Sequence, residues 1–133
     1  MCGSLLFSQK DEVIGKYYLE LLNNENNIIR YRLELRPDYT FLFHAYNNRK
    51  KSNPAVLNKY GKGIWNASDK VISFMTDKEK DIDDEYQLNF TDTRARFIQK
   101  HPRNKTKSSI ATKLLLLESE IPWISKIEMF KLH

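Results

Sequence analysis

Residues 28–45 read IIRYRLELRPDYTFLFHA, and their apolar residues recur at every second position. The apolar face of the first half comprises Ile29, Tyr31, Leu33 and Leu35, and the polar face comprises Arg30, Arg32, Glu34 and Arg36. A period of two is typical of a strand with one buried and one solvated face, as in antiparallel sheets. Pro37 and Asp38 predict a turn, because proline presets φ and aspartate bonds to nearby backbone. The apolar phase resumes at Phe41 and Phe43, so the stretch predicts a β-hairpin.

The same alternation recurs outward from this hairpin along most of the chain. It predicts further strands in residues 13–21, 60–65, 71–75, 86–90, 95–97 and 110–117, with turns at 66–69 and 91–93. Residues 124–132 fit neither the helical nor the strand period, and no segment carries a long helical stripe. Eight or nine short strands indicate a sandwich or a closed barrel. We predict an all-β chain with a single antiparallel up-and-down β-barrel at residues 11–133, after a tail at 1–10.

Composition excludes several classes of protein. The chain has 133 residues, of which 41% are hydrophobic and 29% charged, as expected for one globular domain. Cys2 is the one cysteine, which excludes an internal disulfide and a cysteine-based zinc site. No apolar run approaches the ~18 residues of a membrane-spanning helix, and no glycine-rich phosphate loop is present.

The charge balance is basic, with 22 Lys and Arg residues against 17 Asp and Glu residues. Cations cluster in residues 100–107 and 49–51, and such clusters can contact phosphates. Proteins that bind single strands interleave stacking aromatics with the cations, and His101 is the sole ring in these two clusters. The aromatic residues lie in the alternating strands, where core packing is the simpler interpretation. Nucleic acid is therefore not an expected partner.

No pattern of catalytic or metal-binding residues stands out. His44, His101 and His133 lack metal-ligand spacing, and no serine lies in a nucleophile elbow. Residues 77–85 carry acids at alternate positions, but Ile82 occupies the glycine position of a calcium loop. The sequence predicts no enzyme activity, no catalytic residue, no metal and no cofactor.

The first residues allow three interpretations of location. Cys2-Gly3-Ser4 is typical of a mature bacterial lipoprotein, whereas residues 5–9 are typical of the end of a clipped secretory signal. A cytoplasmic protein with a free thiol is the third. We expect the bacterial envelope or secretion, with Cys2 as the point at which a lipid anchor would attach.

Three short motifs are shared with a known family. They are Gly15-Lys16-Tyr17 in the opening strand, the hairpin at residues 35–41, and Gly61-Lys62-Gly63-Ile64-Trp65 followed by residues 69–74. Over residues 13–99 this meander resembles bacterial lipocalin-like domains of the calycin type. The resemblance implies a small β-barrel, and members of that family are commonly envelope or secreted proteins.

Two functional hypotheses follow. In the first, a filled barrel is an interaction module that binds a protein partner through its loops. In the second, a hollow barrel carries a small hydrophobic ligand, because eight-stranded barrels can do either. The interior in that case would be lined by Tyr17, Tyr31, Phe41, Phe43, Trp65 and Phe74.

The lengths of the connections suggest where a partner would bind. Long connections at 23–27, 48–58, 77–84 and 100–108 alternate with short turns, so a regular meander would gather the long ones at one end. Binding residues often lie on long loops supported by rigid strands. The predicted partner-binding rim comprises Arg49, Lys50, Asp81, Asp83, Arg103 and Lys105.

Overall fold

A computed structural model describes residues 12–22, 27–49, 51, 55–99 and 112–132. The described residues form nine strands and, at Glu12 and Val13, a helical turn. The strands are β1 (Gly15–Leu22), β2 (Ile28–Leu35), β3 (Thr40–Asn48), β4 (Val56–Ser68), β5 (Val71–Met75), β6 (Tyr86–Leu88), β7 (Thr93–Ile98), β8 (Lys113–Glu118) and β9 (Glu128–Lys131).

Eight of these strands close into an antiparallel barrel, which confirms the predicted fold class. The sheet runs β3-β2-β1-β9-β8-β7-β5-β4, and a further pairing between β3 and β4 closes the ring. The barrel removes the open sheet edges that would otherwise expose unpaired backbone groups. The predicted hairpin at residues 28–45 is confirmed as β2 and β3, with Leu33 opposite Phe43.

Alternation along the strands determines which side chains enter the core. Tyr31, Leu33 and Leu35 are buried, while Ile29 is half-buried. Arg30 and Arg32 are exposed on the opposite face of β2. The core continues around the barrel through Phe41, Phe43, Trp65, Ile72, Phe74, Phe97, Leu114, Leu116 and Met129.

The long strand β4 changes partners along its length. Its first part pairs with β3 as far as Ile64, and its last part, from Ile64 to Ser68, pairs with β5. Gly63 lies at this change, where a Cβ atom would collide with the Met75 carbonyl oxygen. The turn into β5 is Asp69-Lys70, so the strand continues through residues 66–68, which the sequence pattern assigned to the turn.

β6 is the one described strand that is not part of the eight-stranded barrel, and it lies outside the regular meander. Tyr86 and Leu88 pair in parallel with Tyr60 and Gly61 of β4. A hydroxyl network anchors the segment, since Thr76 Oγ1 donates to the Lys62 carbonyl at 3.1 Å and accepts the Phe90 amide at 2.8 Å. Phe90 then enters the core between the rings of Phe41 and Phe43.

The position of β6 corrects the predicted rim. β7 pairs with β5, so β7 ends beside the β4–β5 turn, where the Phe97 amide donates to the Lys70 carbonyl at 2.8 Å. By contrast, β3 ends and β4 begins at the other end of the barrel, where Asn48 pairs with Val56. The strands that flank residues 48–58 and 100–108 therefore end at opposite ends, and the prediction of one shared rim is wrong. Counting β6 as a strand of the meander reversed the direction assigned to every later strand.

Candidate outer-face site

A row of planar side chains crosses the outer face of the barrel. The strand registers align Tyr18 with Arg32, Arg32 with His44, His44 with Tyr60, and Tyr60 with Tyr86. Phe130 of β9 extends the row on the far side of Tyr18. We call these six residues the outer row. They occupy the outward phase of their strands because the inward phase belongs to the core.

Side chains within the outer row contact one another. The rings of His44 and Tyr60 stack with centroids 4.6 Å apart and planes inclined by 6°. Tyr60 and Tyr86 have centroids 5.6 Å apart. At the other end the Arg32 guanidinium carbon lies 5.9 Å from the Tyr18 ring centroid. The row therefore consists of two groups in contact, His44 with Tyr60 and Tyr86 and Arg32 with Tyr18, which the strand registers align with each other and with Phe130.

Polar neighbours hold parts of this surface in place. Oδ1 of Asn58 lies 2.8 Å from Nε2 of His44, within hydrogen-bond distance. Nε of Arg30 donates to Oε2 of Glu20 at 2.6 Å, and this bond, with a second from the Tyr18 hydroxyl, lowers the pKa of Glu20. The Arg30 guanidinium also lies 5.6 Å from the centroid of the Tyr46 ring. These contacts limit the rotamers available to the side chains beside the row.

A groove of about 490 Å³ runs along the middle of the outer row. Its volume falls within the ~300–1,000 Å³ typical of ligand sites. The outward side chains that line it are Lys16, Arg32, Glu34, Leu42, His44, Tyr60, Tyr86 and Leu132. We call this feature the outer groove. It combines an aromatic side, formed by His44, Tyr60 and Tyr86, with aliphatic contacts from Leu42 and Leu132.

Positively charged side chains outnumber negatively charged ones in the lining of the outer groove. In the part of the chain that the structure describes, Lys16, Arg32 and Lys62 make no ion pair. The Lys62 ammonium lies 4.6 Å from the centroid of the Tyr86 ring, at the margin of the groove. Glu34 is the carboxylate in the lining, and Oε2 of Glu34 lies 3.4 Å from Nε of Arg36. A ligand with a planar ring and a negative charge matches this combination.

The predicted ligand-lining residues lie in the core of the barrel, and two pairs of their rings, Tyr31 with Phe43 and Phe41 with Phe74, are in contact. All six are buried: Tyr17, Tyr31, Phe41, Phe43, Trp65 and Phe74. The Phe41 and Phe74 rings are 5.1 Å apart and meet edge to face, a favourable arrangement for aromatic pairs. Burial raises the pKa of Tyr17, whose hydroxyl donates to the Val13 carbonyl at 2.7 Å. These contacts show side chains filling the interior around the residues assigned to the ligand.

Three of the predicted partner-binding residues lie in described parts of the chain. Arg49 follows β3 and is half-buried, and its amide donates to the Ala55 carbonyl at 2.7 Å. Oδ2 of Asp81 accepts the Asp77 amide, and Oδ1 of Asp83 accepts the amides of Glu85 and Tyr86. The bonds to Asp83 lower the pKa of its carboxyl group. Lys50, Arg103 and Lys105 lie outside the described residues.

Residues 12–22, 27–49, 51, 55–99 and 112–132 contain no group of three His, Cys, Asp or Glu side chains placed to hold a metal ion. Nor does this part of the chain contain a helix with the length and apolar character needed to cross a membrane.

Comparisons with protein-family models, with curated proteins and with solved structures found no match to this chain. The candidate site therefore rests on the geometry of the outer face.

Sequence reasoning missed the outer row because it assigned the strand aromatics to the core. The available signal was the alternation within each strand. Tyr18 and His44 occupy the positions between the core residues of their strands, and such positions face outward. A ring in the outward phase of one strand is commonplace. Only the registers of five successive strand pairs show that the rings and Arg32 are aligned across the sheet.

Proposed function

We propose that this chain is a non-enzymatic binding module whose ligand site is the outer groove. The observation that carries the proposal is the alignment of rings with a guanidinium group in the outer row. An apolar side together with cations that make no ion pair with any residue the structure describes favours a ligand that has a planar ring and a negative charge. The packed interior supports the filled barrel of the first hypothesis over the hollow barrel of the second.

The proposal moves the binding surface from the loop rim to the face of the sheet. Two carboxylates of the predicted rim, Asp81 and Asp83, accept hydrogen bonds from backbone amides of their own segment. Such bonds order a connection, and they engage Oδ2 of Asp81 and Oδ1 of Asp83. The outer row, in contrast, stands on paired strands, which position side chains more rigidly than connections do.

The proposal also includes a resemblance to a protein family and a location in the cell. The eight-stranded antiparallel barrel supports the resemblance to lipocalin-like domains, and we retain the bacterial envelope or secretion as the proposed location. Labelling cells with an alkyne-tagged fatty acid tests the anchor, with the Cys2→Ser variant as the control. Label that persists in this variant would contradict a lipid anchor at Cys2.

Amide NMR spectra of the protein, titrated with three small probes, test the site. The probes are 2-naphthoate, its uncharged amide and the fatty acid laurate. We expect 2-naphthoate to shift the amide signals of Arg32, His44 and Tyr60, and the uncharged amide to bind more weakly. Shifts confined to core residues such as Phe97 and Leu114, and caused by laurate, would support the carrier hypothesis instead. A spectrum unchanged by 2-naphthoate would contradict the outer groove as a binding site.

A further inference from the structure

We propose that the outer row is a platform for single-stranded nucleic acid, on which bases stack and phosphates contact the flanking cations. This inference rests on the proposed function, since it specifies the ligand of the same groove. It also reverses the expectation from the sequence, in which His101 is the sole ring among the basic clusters. The interleaving of rings and cations that was absent along the chain is present across the strands.

Stacking is the first requirement of such a platform. Nucleic-acid bases stack on aromatic side chains and on the planes of guanidinium groups, with little dependence on sequence. The outer row offers Tyr18, Tyr60, Tyr86 and Phe130 together with Arg32 and His44. Phe130 is 39% exposed and the other rings are half-buried, and His44, Tyr60 and Tyr86 line the groove. Half-burial holds a ring in a fixed orientation while leaving surface for a base.

Charge is the second requirement. Lys16 lies opposite Glu34 and two residues before Tyr18, and Lys62 lies two residues beyond Tyr60. Lys16 and Lys62 thus lie along one margin of the row, and Arg32 lies within it, which gives three cations. None of the three makes an ion pair among the described residues, so a phosphate contact would break no salt bridge there. The charge of Lys62 also acts on Asp83 and helps to lower the pKa of that carboxyl group. Three phosphate contacts on a single strand predict a slope of about −2 in log K against log salt.

The length of the outer row distinguishes a site for a nucleic-acid strand from a site for a single nucleotide. The outer row crosses six strands, from Phe130 in β9 to Tyr86 in β6. Neighbouring strands lie about 4.8 Å apart, so the row extends about 24 Å. That length accommodates several successive nucleotides. Asp84 and Glu85 line an adjoining groove beside Tyr60, and their negative charges would end the binding track at the β6 side.

Fluorescence anisotropy with labelled twelve-nucleotide oligo(dT) and oligo(U) tests the proposal. The variants are Tyr60→Leu, which removes a ring, Tyr60→Phe, which retains it, and Arg32→Gln, which removes a cation. Arg96→Gln is the matched control, because Arg96 is an exposed arginine of β7 outside the outer row. Thermal unfolding of each variant verifies that it folds, and Arg32→Gln provides a test at an exposed position if Tyr60→Leu is unstable.

We expect the single strands to bind more tightly than a duplex of the same length or a mononucleotide. Tyr60→Leu should weaken binding about tenfold, and Tyr60→Phe should bind like the wild type. Arg32→Gln should weaken binding and reduce the magnitude of the salt slope by about 0.7, whereas Arg96→Gln should leave both unchanged.

Three results would overturn the proposal, and each has a different meaning. Equal losses in Arg32→Gln and Arg96→Gln, with none in Tyr60→Leu, would indicate general attraction of polyanions. A mononucleotide that binds as tightly as the oligonucleotide would indicate a site for one nucleotide. Absence of oligonucleotide binding, where 2-naphthoate still shifts the groove signals, would reject nucleic acid and leave the proposed binding module intact.

Discussion

At the residue scale, adjacent positions on one strand have opposite roles. Leu33 is 2% exposed in the core, whereas Arg32 is exposed in the outer row. The same backbone thus presents a core residue and a candidate binding residue in succession, because successive side chains of a strand point to opposite faces.

This difference predicts unequal costs of truncation. Leu33→Ala should lower the free energy of unfolding by about 2–5 kcal/mol, because it removes buried apolar surface and leaves a cavity. Arg32→Ala should change it by no more than about 0.5 kcal/mol, as is usual for surface positions. Urea unfolding measures both values. A larger loss in Arg32→Ala than in Leu33→Ala would mean that the two faces of β2 are reversed.

Asp38 predicts a residue-level dependence of stability on pH. The Thr40 hydroxyl and then the Thr40 amide donate to Oδ1 of Asp38, at 2.6 and 3.0 Å, and these bonds lower the pKa of its carboxyl group. A pKa that is lower in the folded state than in the unfolded state stabilises the fold above the unfolded value of about 3.9. This contribution is lost as the pH falls through the folded value.

Carboxyl NMR titration measures the effect directly. In Thr40→Val, which removes the hydroxyl donor and retains the amide, the pKa of Asp38 should rise toward its ordinary value. The acid-induced loss of stability should become smaller in this variant. An Asp38 pKa unchanged by Thr40→Val would contradict the role of the hydroxyl.

At the element scale, the β4–β5 turn carries local strain. Ser68 pairs with Val71, which leaves Asp69 and Lys70 as a two-residue turn with φ values of 52° and 65°. Positive φ at both positions is the requirement of a type I′ turn, which suits the twist of a hairpin. Lysine adopts this region at a cost that glycine does not incur.

Lys70→Gly should therefore stabilise the protein by about 0.5–1 kcal/mol, once the greater freedom of glycine in the unfolded chain is included. Lys78→Gly is the matched control, since Lys78 is not among the residues with positive φ and should gain nothing. Thermal and urea unfolding compare the two variants. A Lys70→Gly protein less stable than the wild type would show that the lysine side chain contributes more than the strain costs.

At the scale of the whole molecule, the barrel is not equally secured around its circumference. β2 pairs with β3 over eight positions, whereas β1 and β9 share the pairs Tyr17–Lys131 and Tyr18–Phe130. The Leu132 amide adds one more bond, to the Lys16 carbonyl at 2.7 Å. This short pairing lies at the Phe130 end of the outer row.

Native-state hydrogen exchange should reflect that difference. Proteins open locally where few contacts hold a segment, so the amide of Leu132, which bonds to Lys16 of β1, should exchange faster than those of Tyr31, Leu33 and Phe43. The measured exchange rates should be corrected for the intrinsic rate of each amide before they are compared. Equal protection at all four amides would indicate that the barrel opens only by complete unfolding.

Much of the fold could be predicted from the sequence because its signals are local. Alternation within β2 and β3 identifies the strands and their buried faces, and Pro37-Asp38 identifies the turn between them. β6 was misassigned because three residues of alternating character do not specify a partner. Its parallel pairing with β4 is accompanied by two hydrogen bonds of the Thr76 hydroxyl, to the Lys62 carbonyl and from the Phe90 amide, each of which spans 14 residues.

The sequence by itself determined the all-β class, the strand faces and the aromatic interior, since each follows from a period of two within one segment. Only the tertiary structure decided which strands meet, at which end each connection lies, and that Tyr18, Arg32, His44, Tyr60 and Tyr86 form one row. The physical reason is that register between strands depends on turns, changes of partner and ring closure together. A slip of one residue in any pairing would turn an aligned side chain to the opposite face.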